Sequence, residues 1–287
     1  MPLPADLPVV DHHCHLSPTG EGVAAVRRFA AAGGTHLFLA TQNYLSEVPV
    51  RLAQYEEQYA TTVAIARQVE EETSVRCYSV LAPYPVDLLR QVDALGVAAA
   101  VELQMAALAL AGKEVAEGRA VALGEVGRPH FPYPPELADS VEAVFRRALD
   151  VARDAGCPAV VHCEELDAGG FRSLAALASA ALFPLQKLVK HYHRTALPPT
   201  DYAGISPSYL ARRELVDSVL SRGGPWFLET DFLDDPRRPG AVLDLATVPR
   251  RARALADRDP TAAERLRIPF VESIGAVYGF TPEVPVG

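Results

Sequence analysis

The chain has 287 residues, 49% hydrophobic, 22% charged and 7% aromatic, which is ordinary globular composition. Its 27 Lys and Arg against 36 Asp and Glu leave a formal charge of −9, which excludes a surface built to coat nucleic acid, because that affinity comes mostly from neutralising phosphates. The longest apolar runs, such as Leu95–Ala100 and Met105–Ala111, fall far short of the roughly 20 residues of a membrane span.

The N-terminal residues carry neither a basic segment nor an apolar stretch, so no secretory signal is expected. Four cysteines are too few for a disulfide framework at this length, and a reduced, cytoplasmic protein is the expectation. Pro8–Asp11 reads as a first strand, followed by a helix at Gly22–Ala32 that Gly33-Gly34 terminates. Thr35–Ala40 is the second strand, with a helix at Arg51–Glu72. Val75–Val80 is the third, and two helices follow it, Val86–Leu95 and the alanine-rich Glu102–Arg119. Ala120–Glu125 leads into Pro134-Pro135, a pair suited to helix entry because the missing N–H does no harm there. The helix Pro135–Ala155 ends at Gly156. Then come the strand Ala159–His162, the helix Phe171–Ala181, the strands Leu188–His191 and Tyr202–Ser206, the helix Ser208–Ser221 and the strand Trp226–Asp231. Phe232–Val248 reads as a long polar loop near the site, and Thr261–Tyr278 as a closing amphipathic stretch.

Eight strands alternating with helices predict a parallel sheet with right-handed crossovers. At this length the expected fold is an α/β TIM-like (β/α)8 barrel, one domain over residues 1–287. Seven of the eight histidines, all but His36, fall at or just past a predicted strand end. In such a barrel those ends converge on one face, where active sites are built.

His13 and His15 stand two apart in Asp11-His12-His13-Cys14-His15, so an extended strand projects both to one side, together with Asp11. Glu125 ends an apolar strand, and a carboxylate in that position must be paired, exposed or bound to metal. His162 ends another. In Lys190-His191-Tyr192-His193 either imidazole is a candidate, and His191 is the better one because the apolar run stops just before it. His193 is then expected near the substrate or behind a ligand. Asp231 ends the last strand and either holds a metal or takes a proton from water. Four imidazoles and two carboxylates suit Zn, Mn or Fe rather than the oxygen-preferring Ca or Mg. Six ligands exceed the three protein ligands typical of one catalytic zinc, and two divalent ions sharing a carboxylate account for the surplus.

With these residues in place the chain resembles the TatD-related metal-dependent hydrolases of the amidohydrolase superfamily. The matching pieces are Asp11–Leu16, Leu123–Gly127, Val160–His162, the strand ending at His191, and Leu228–Asp231. The resemblance implies that His13, His15 and Asp231 hold one ion and His162 and His191 the other, with Glu125 bridging. It implies metal-activated water as nucleophile and Asp231 as the catalytic proton acceptor, and it makes phosphodiester hydrolysis the leading reaction. Small phosphoesters or nucleic-acid ends are then the substrates, with no membrane partner and no stable nucleic-acid complex. The same centre also serves carboxylic esters, lactones or amides, the alternative reading. Nuclease members carry an Asp and aromatic residues after the bridging Glu, where this chain has Gly127-Arg128-Pro129-His130-Phe131. That departure points to a divergent, archaeal-type branch. It makes Arg128 and His130 candidate contacts for a phosphate or carboxylate, with a loop ion pair as the alternative.

Overall fold

A computed structural model describes residues 3–45, 47–238 and 240–285. In chain order its elements begin with β1 (Val10–His15), α1 (Val23–Ala31), β2 (His36–Ala40), α2 (Leu52–Glu72) and β3 (Arg76–Leu81). Two helices follow, α3 (Asp87–Leu95) and α4 (Val97–Ala116), then β4 (Ala122–Gly127), α5 (Ala138–Asp154), β5 (Ala159–His162), α6 (Ala168–Ala180) and β6 (Leu188–His193). The last third holds β7 (Ser206–Leu210), α7 (Arg213–Val219), β8 (Phe227–Glu229), β9 (Phe232–Leu233), α8 (Thr247–Arg258), α9 (Ala262–Arg265), a π-helical turn at Ile268–Glu272 and α10 (Ser273–Tyr278). None of these helices is long and apolar enough to cross a membrane.

All strand pairs are parallel, in the order β8-β7-β6-β5-β4-β3-β2-β1-β9. The two ends of that order, β8 and β9, are separated in the chain only by Thr230 and Asp231. A sheet whose first and last strands are nearly contiguous must curl on itself, which gives the TIM-like α/β fold. The seam between β8 and β1 is closed by the buried Asp11 carboxylate, which accepts the Thr230 N–H at 3.0 Å and its hydroxyl at 2.6 Å. The Asp231 N–H adds a bond to the His13 carbonyl at 2.9 Å.

Three details differ from the sequence expectation. The seventh strand lies at Ser206–Leu210, later than Tyr202–Ser206. Tyr202 belongs to a 3-10 turn, and Ala203 (φ 50°) and Gly204 (φ 85°) then take left-handed backbone that an extended run cannot contain. Ser208–Leu210, expected as helix, is therefore strand, and α7 starts only at Arg213. The expected loop Phe232–Val248 opens with β9, which pairs Cys14 with Phe232 and His15 with Leu233. Within it Asp234 is buried and accepts the backbone N–H groups of Ser17, Glu21 and Gly22 at 3.0, 2.7 and 2.8 Å. Pro239, in the same stretch, lies outside the described residues. Pro269 falls in the π-helical turn that separates α9 from α10, so the closing amphipathic stretch is not one helix.

Candidate metal centre

The strand ends converge as the barrel requires, and the ligand strands are irregular where the ligands sit. β1 advances three residues, Asp11 to Cys14, where β2 advances two, Leu37 to Leu39. β4 advances two, Gly124 to Val126, where β5 advances one. β6 advances three, Lys190 to His193, where β7 advances two. Each extra residue is a bulge that re-aims side chains next to it, and the three bulges fall at His12–His13, Glu125 and His191–Tyr192. Gly124 is fitted to this: a Cβ there would stand 2.7 Å from Val160 Cβ and 2.9 Å from Val80 Cγ1.

His13, His15, Glu125 and Asp231 form one group and Glu125, His162 and His191 another, each with its ligand atoms within 4.8 Å of one another. In the first, His13 Nε2 lies 2.9 Å from Glu125 Oε1, 3.3 Å from His15 Nε2 and 3.8 Å from Asp231 Oδ1. His15 Nε2 is 3.5 Å from Glu125 Oε1 and 3.6 Å from Asp231 Oδ1. In the second, His162 Nδ1 is 3.2 Å from Glu125 Oε2, His191 Nε2 is 3.4 Å from Glu125 Oε1, and the two nitrogens face each other at 3.1 Å. The rings of His13 and His191 stack across the barrel at 4.2 Å, so the groups adjoin. The six residues expected from sequence thus meet, with Glu125 common to both groups.

This donor set fits two divalent cations. His15 Nδ1 faces the Ala40 carbonyl at 3.1 Å, which can only accept, so the neutral ring keeps its Nε2 lone pair for the site. His191 Nδ1 faces Glu229 Oε1 at 3.4 Å, in contact though not aligned as a hydrogen bond, which turns Nε2 inward. Burial and the neighbouring charges act on each group differently. Burial opposes charging His15, yet the Asp231 and Glu125 carboxylates outweigh it and lift the imidazole to about 10. Burial pushes Glu229 well above the usual carboxylate range, reinforced by the charge of Asp231. Burial likewise raises Asp11 to about 7, against the bonds from Thr230. Burial opposes ionisation of Glu125 too, but His191 and His162 beside it hold its carboxyl well below the usual range.

Around the ligands the outcome differs. Cys14 is buried, its thiol directed to the Phe38 carbonyl, as packing rather than ligation. Arg128 takes the ion-pair alternative: its guanidinium grips Glu164 through both Nε, at 2.9 Å, and a terminal nitrogen. His193, expected near the substrate or behind a ligand, is fully buried, away from any substrate, ringed by Phe171, Tyr202 and Tyr209, with Nδ1 3.2 Å from Glu165. The bulge at His191–Tyr192, with Tyr192 at φ 54°, breaks the alternation that would have put His193 on the face of His191. His130 remains exposed, with Nδ1 2.8 Å from His162 Nε2. Tyr84 was not singled out from sequence; its hydroxyl stands 3.4 Å from the same nitrogen. Nothing local in the sequence marks it. Glu229, two residues before Asp231 on the same strand end, stands behind His191.

Comparison with known proteins identifies the family and the fold. The family model described as TatD related DNase matches residues 10–278. A Methanocaldococcus jannaschii protein described as uncharacterized is 27% identical over 281 residues, covering 97% of this chain and 98% of its own length. Among solved structures, a TatD homologue of Escherichia coli K12 superposes with a TM-score of 0.65 at 18% identity, covering 94% of this chain and 98% of the other. A TatD-family hydrolase of Entamoeba histolytica gives a TM-score of 0.63 at 11% identity, covering 95% and 99%. The chain belongs to the TatD-related DNase family, and it is a metal-dependent hydrolase.

Proposed function

We propose that this member of the family hydrolyses phosphodiester bonds, in nucleic-acid ends or small phosphate esters, at a centre of two divalent cations. The observation that carries the reading is that two ligand groups share one buried carboxylate, Glu125. Such a pair suits a reaction in which negative charge grows on a phosphoryl group between two cations. His13, His15 and Asp231 would hold one ion, His162 and His191 the other, and Glu125 would bridge them. The nitrogen-rich set favours Zn, Mn or Fe.

Bound cations supply Lewis acidity, which lowers the pKa of water and neutralises developing charge. The chain's own residues do the rest. Asp231 is held by its N–H bond to the His13 carbonyl and by left-handed backbone at φ 48°, a conformation that Asp tolerates better than most residues. Its carboxylate is 16% exposed, against 6% for Glu125, so it is the acid that incoming water can reach. Asp231 orients that water and takes its proton. The Ala40 carbonyl holds His15 in the tautomer that offers a lone pair, and Glu229 packs behind His191 at 3.4 Å.

The engagement of Arg128 with Glu164 removes a group that would have read a phosphate or a carboxylate alike, so the choice between the two readings falls to the substrate panel. The net charge of −9 favours brief capture of phosphate groups over a lasting nucleic-acid complex. The test is a substrate panel on the Zn- or Mn-loaded chain: a bis-aryl phosphodiester, single-stranded DNA, and carboxylic esters and lactones. Metal-stimulated cleavage of the phosphodiesters is expected. Turnover confined to the carboxylic substrates would refute the proposal.

A further inference from the structure

The rim of the site carries one imidazole that no ligand group includes. His130 meets His162 edge to face, centroids 5.0 Å apart, and its Nδ1 lies 2.8 Å from His162 Nε2. Nε2 of His130, on the far side of an exposed ring, has no partner among the described residues. The position is fixed from below. The Arg128 N–H bonds the His162 carbonyl at 2.9 Å, its guanidinium grips Glu164, and the buried Pro129 follows.

A neutral imidazole carries one N–H and one lone pair, so the tautomer of His162 dictates that of His130. When the proton sits on His162 Nδ1 it donates to His191 Nε2, 3.1 Å away, with Glu125 Oε2 beside it at 3.2 Å. Nε2 then accepts from the His130 Nδ1–H, and His130 offers solvent only a lone pair. When His162 Nδ1 gives its lone pair to a cation, its proton must be on Nε2. That N–H donates to His130 Nδ1, and the outer nitrogen of His130 carries the hydrogen instead. Both rings stay neutral throughout. The proton between them crosses the hydrogen bond, one leaves His162 Nδ1 to water, and one is taken up from water by His130 Nε2.

We propose that His130 is both a positioning residue for His162 and a conditional substrate contact: occupancy of the Glu125–His162–His191 group turns its outer nitrogen from acceptor to donor, presenting an N–H to an anionic phosphoryl oxygen. The proposal rests on the two-cation reading. It makes the mouth of the site selective for anionic oxygen only when the centre is loaded, with the Tyr84 hydroxyl as a second donor beside the same ring.

The experiment uses the full chain labelled with 15N-histidine, observed in long-range proton–nitrogen spectra before and after adding zinc, with His130 assigned by the signals lost in His130→Asn. With zinc, His130 Nδ1 should read as unprotonated and Nε2 as protonated; without zinc the two should exchange. Calorimetry with inorganic phosphate on the zinc-loaded chain supplies the second readout. His130→Asn puts an amide oxygen where Nδ1 stood, so it should keep its zinc but bind phosphate about tenfold more weakly, the loss expected for one hydrogen bond to a charged group. His130→Gln, whose amide reaches the place of Nε2, should recover most of that affinity. Unchanged tautomers on zinc addition, or equal phosphate affinity in all three proteins, would overturn the role of His130 and leave the metal centre standing. A wild-type chain that takes up no zinc would overturn the two-cation reading, and this proposal with it.

Discussion

His12 and His13 are neighbours on one strand and both are buried, yet they stand in opposite surroundings. The ring of His12 stacks on Phe227 at 4.0 Å, lies 5.1 Å from Phe38, and bonds the Tyr278 hydroxyl at 2.7 Å. Among the described residues no carboxylate reaches it, and burial holds it well below its ordinary pKa as a neutral core group. His13 touches Glu125 and stacks on His191, with Asp231 close by. His36 repeats the first pattern: its Nδ1 lies 2.8 Å from the Thr35 hydroxyl, and burial, aided by the Arg76 charge, draws it down to about 4. Burial is common to both sets. What separates His13 from His12 and His36 is the shared carboxylate it faces, Glu125; a carboxylate alone is not enough, since His193 has Glu165 at 3.2 Å and joins neither ligand group.

That contrast can be broken most severely at Glu125, the one acid both ligand groups use. Glu125→Gln should lower turnover by at least about a hundredfold, the scale of losing a major electrostatic element of an active site, as read by steady-state kinetics on a phosphodiester. Asp231→Asn comes next. It should cut kcat by about a hundredfold or more, as loss of a proton acceptor does, while elemental analysis finds most of the metal retained. Full activity in that variant would remove Asp231 from its role.

Glu229→Gln sharpens the comparison without touching a ligand. The carboxylate sits behind His191, and loss of such a partner typically weakens metal affinity by about 10- to 100-fold; competition with a chelator would measure it, and unaltered affinity would make Glu229 a packing residue like His12. The smallest effect belongs to the packing set. His36 is drawn to about 4 from its ordinary value of 6.5, so the unfolded chain takes up a proton first as pH falls. The stability it contributes is present above about 6.5 and is lost as pH falls toward 4. His36→Gln should therefore flatten the fall in Tm between pH 7 and 5 and leave metal content unchanged. A steeper fall would contradict the sign.

Much of this centre was legible before any coordinates. A ligand at a strand end announces itself: an apolar run that stops at Glu125 or His162 leaves a polar group nowhere to go but the open face of a barrel, and His13 and His15, two apart, share one side of their strand. What stayed hidden depends on contacts distant in the chain or on irregular backbone. Arg128 finds Glu164, 36 residues on, and Asp11 binds Thr230, 219 residues on. His193 does not face the substrate side because strict alternation fails at the bulge beside it. The seventh strand was displaced because it contains Pro207, which lacks the N–H that interior strands normally use. β9 is two residues long and has no pattern of its own; it is a strand only because β1 lies alongside.

The claim on which the rest depends is that one carboxylate joins two cations. The most direct measurement is metal per chain, by elemental analysis after loading and exhaustive dialysis, for the wild type and for Glu125→Gln side by side. Two divalent ions in the wild type, falling toward one in the variant, is the predicted result. A wild-type chain that holds none, or a variant that keeps both, would contradict it.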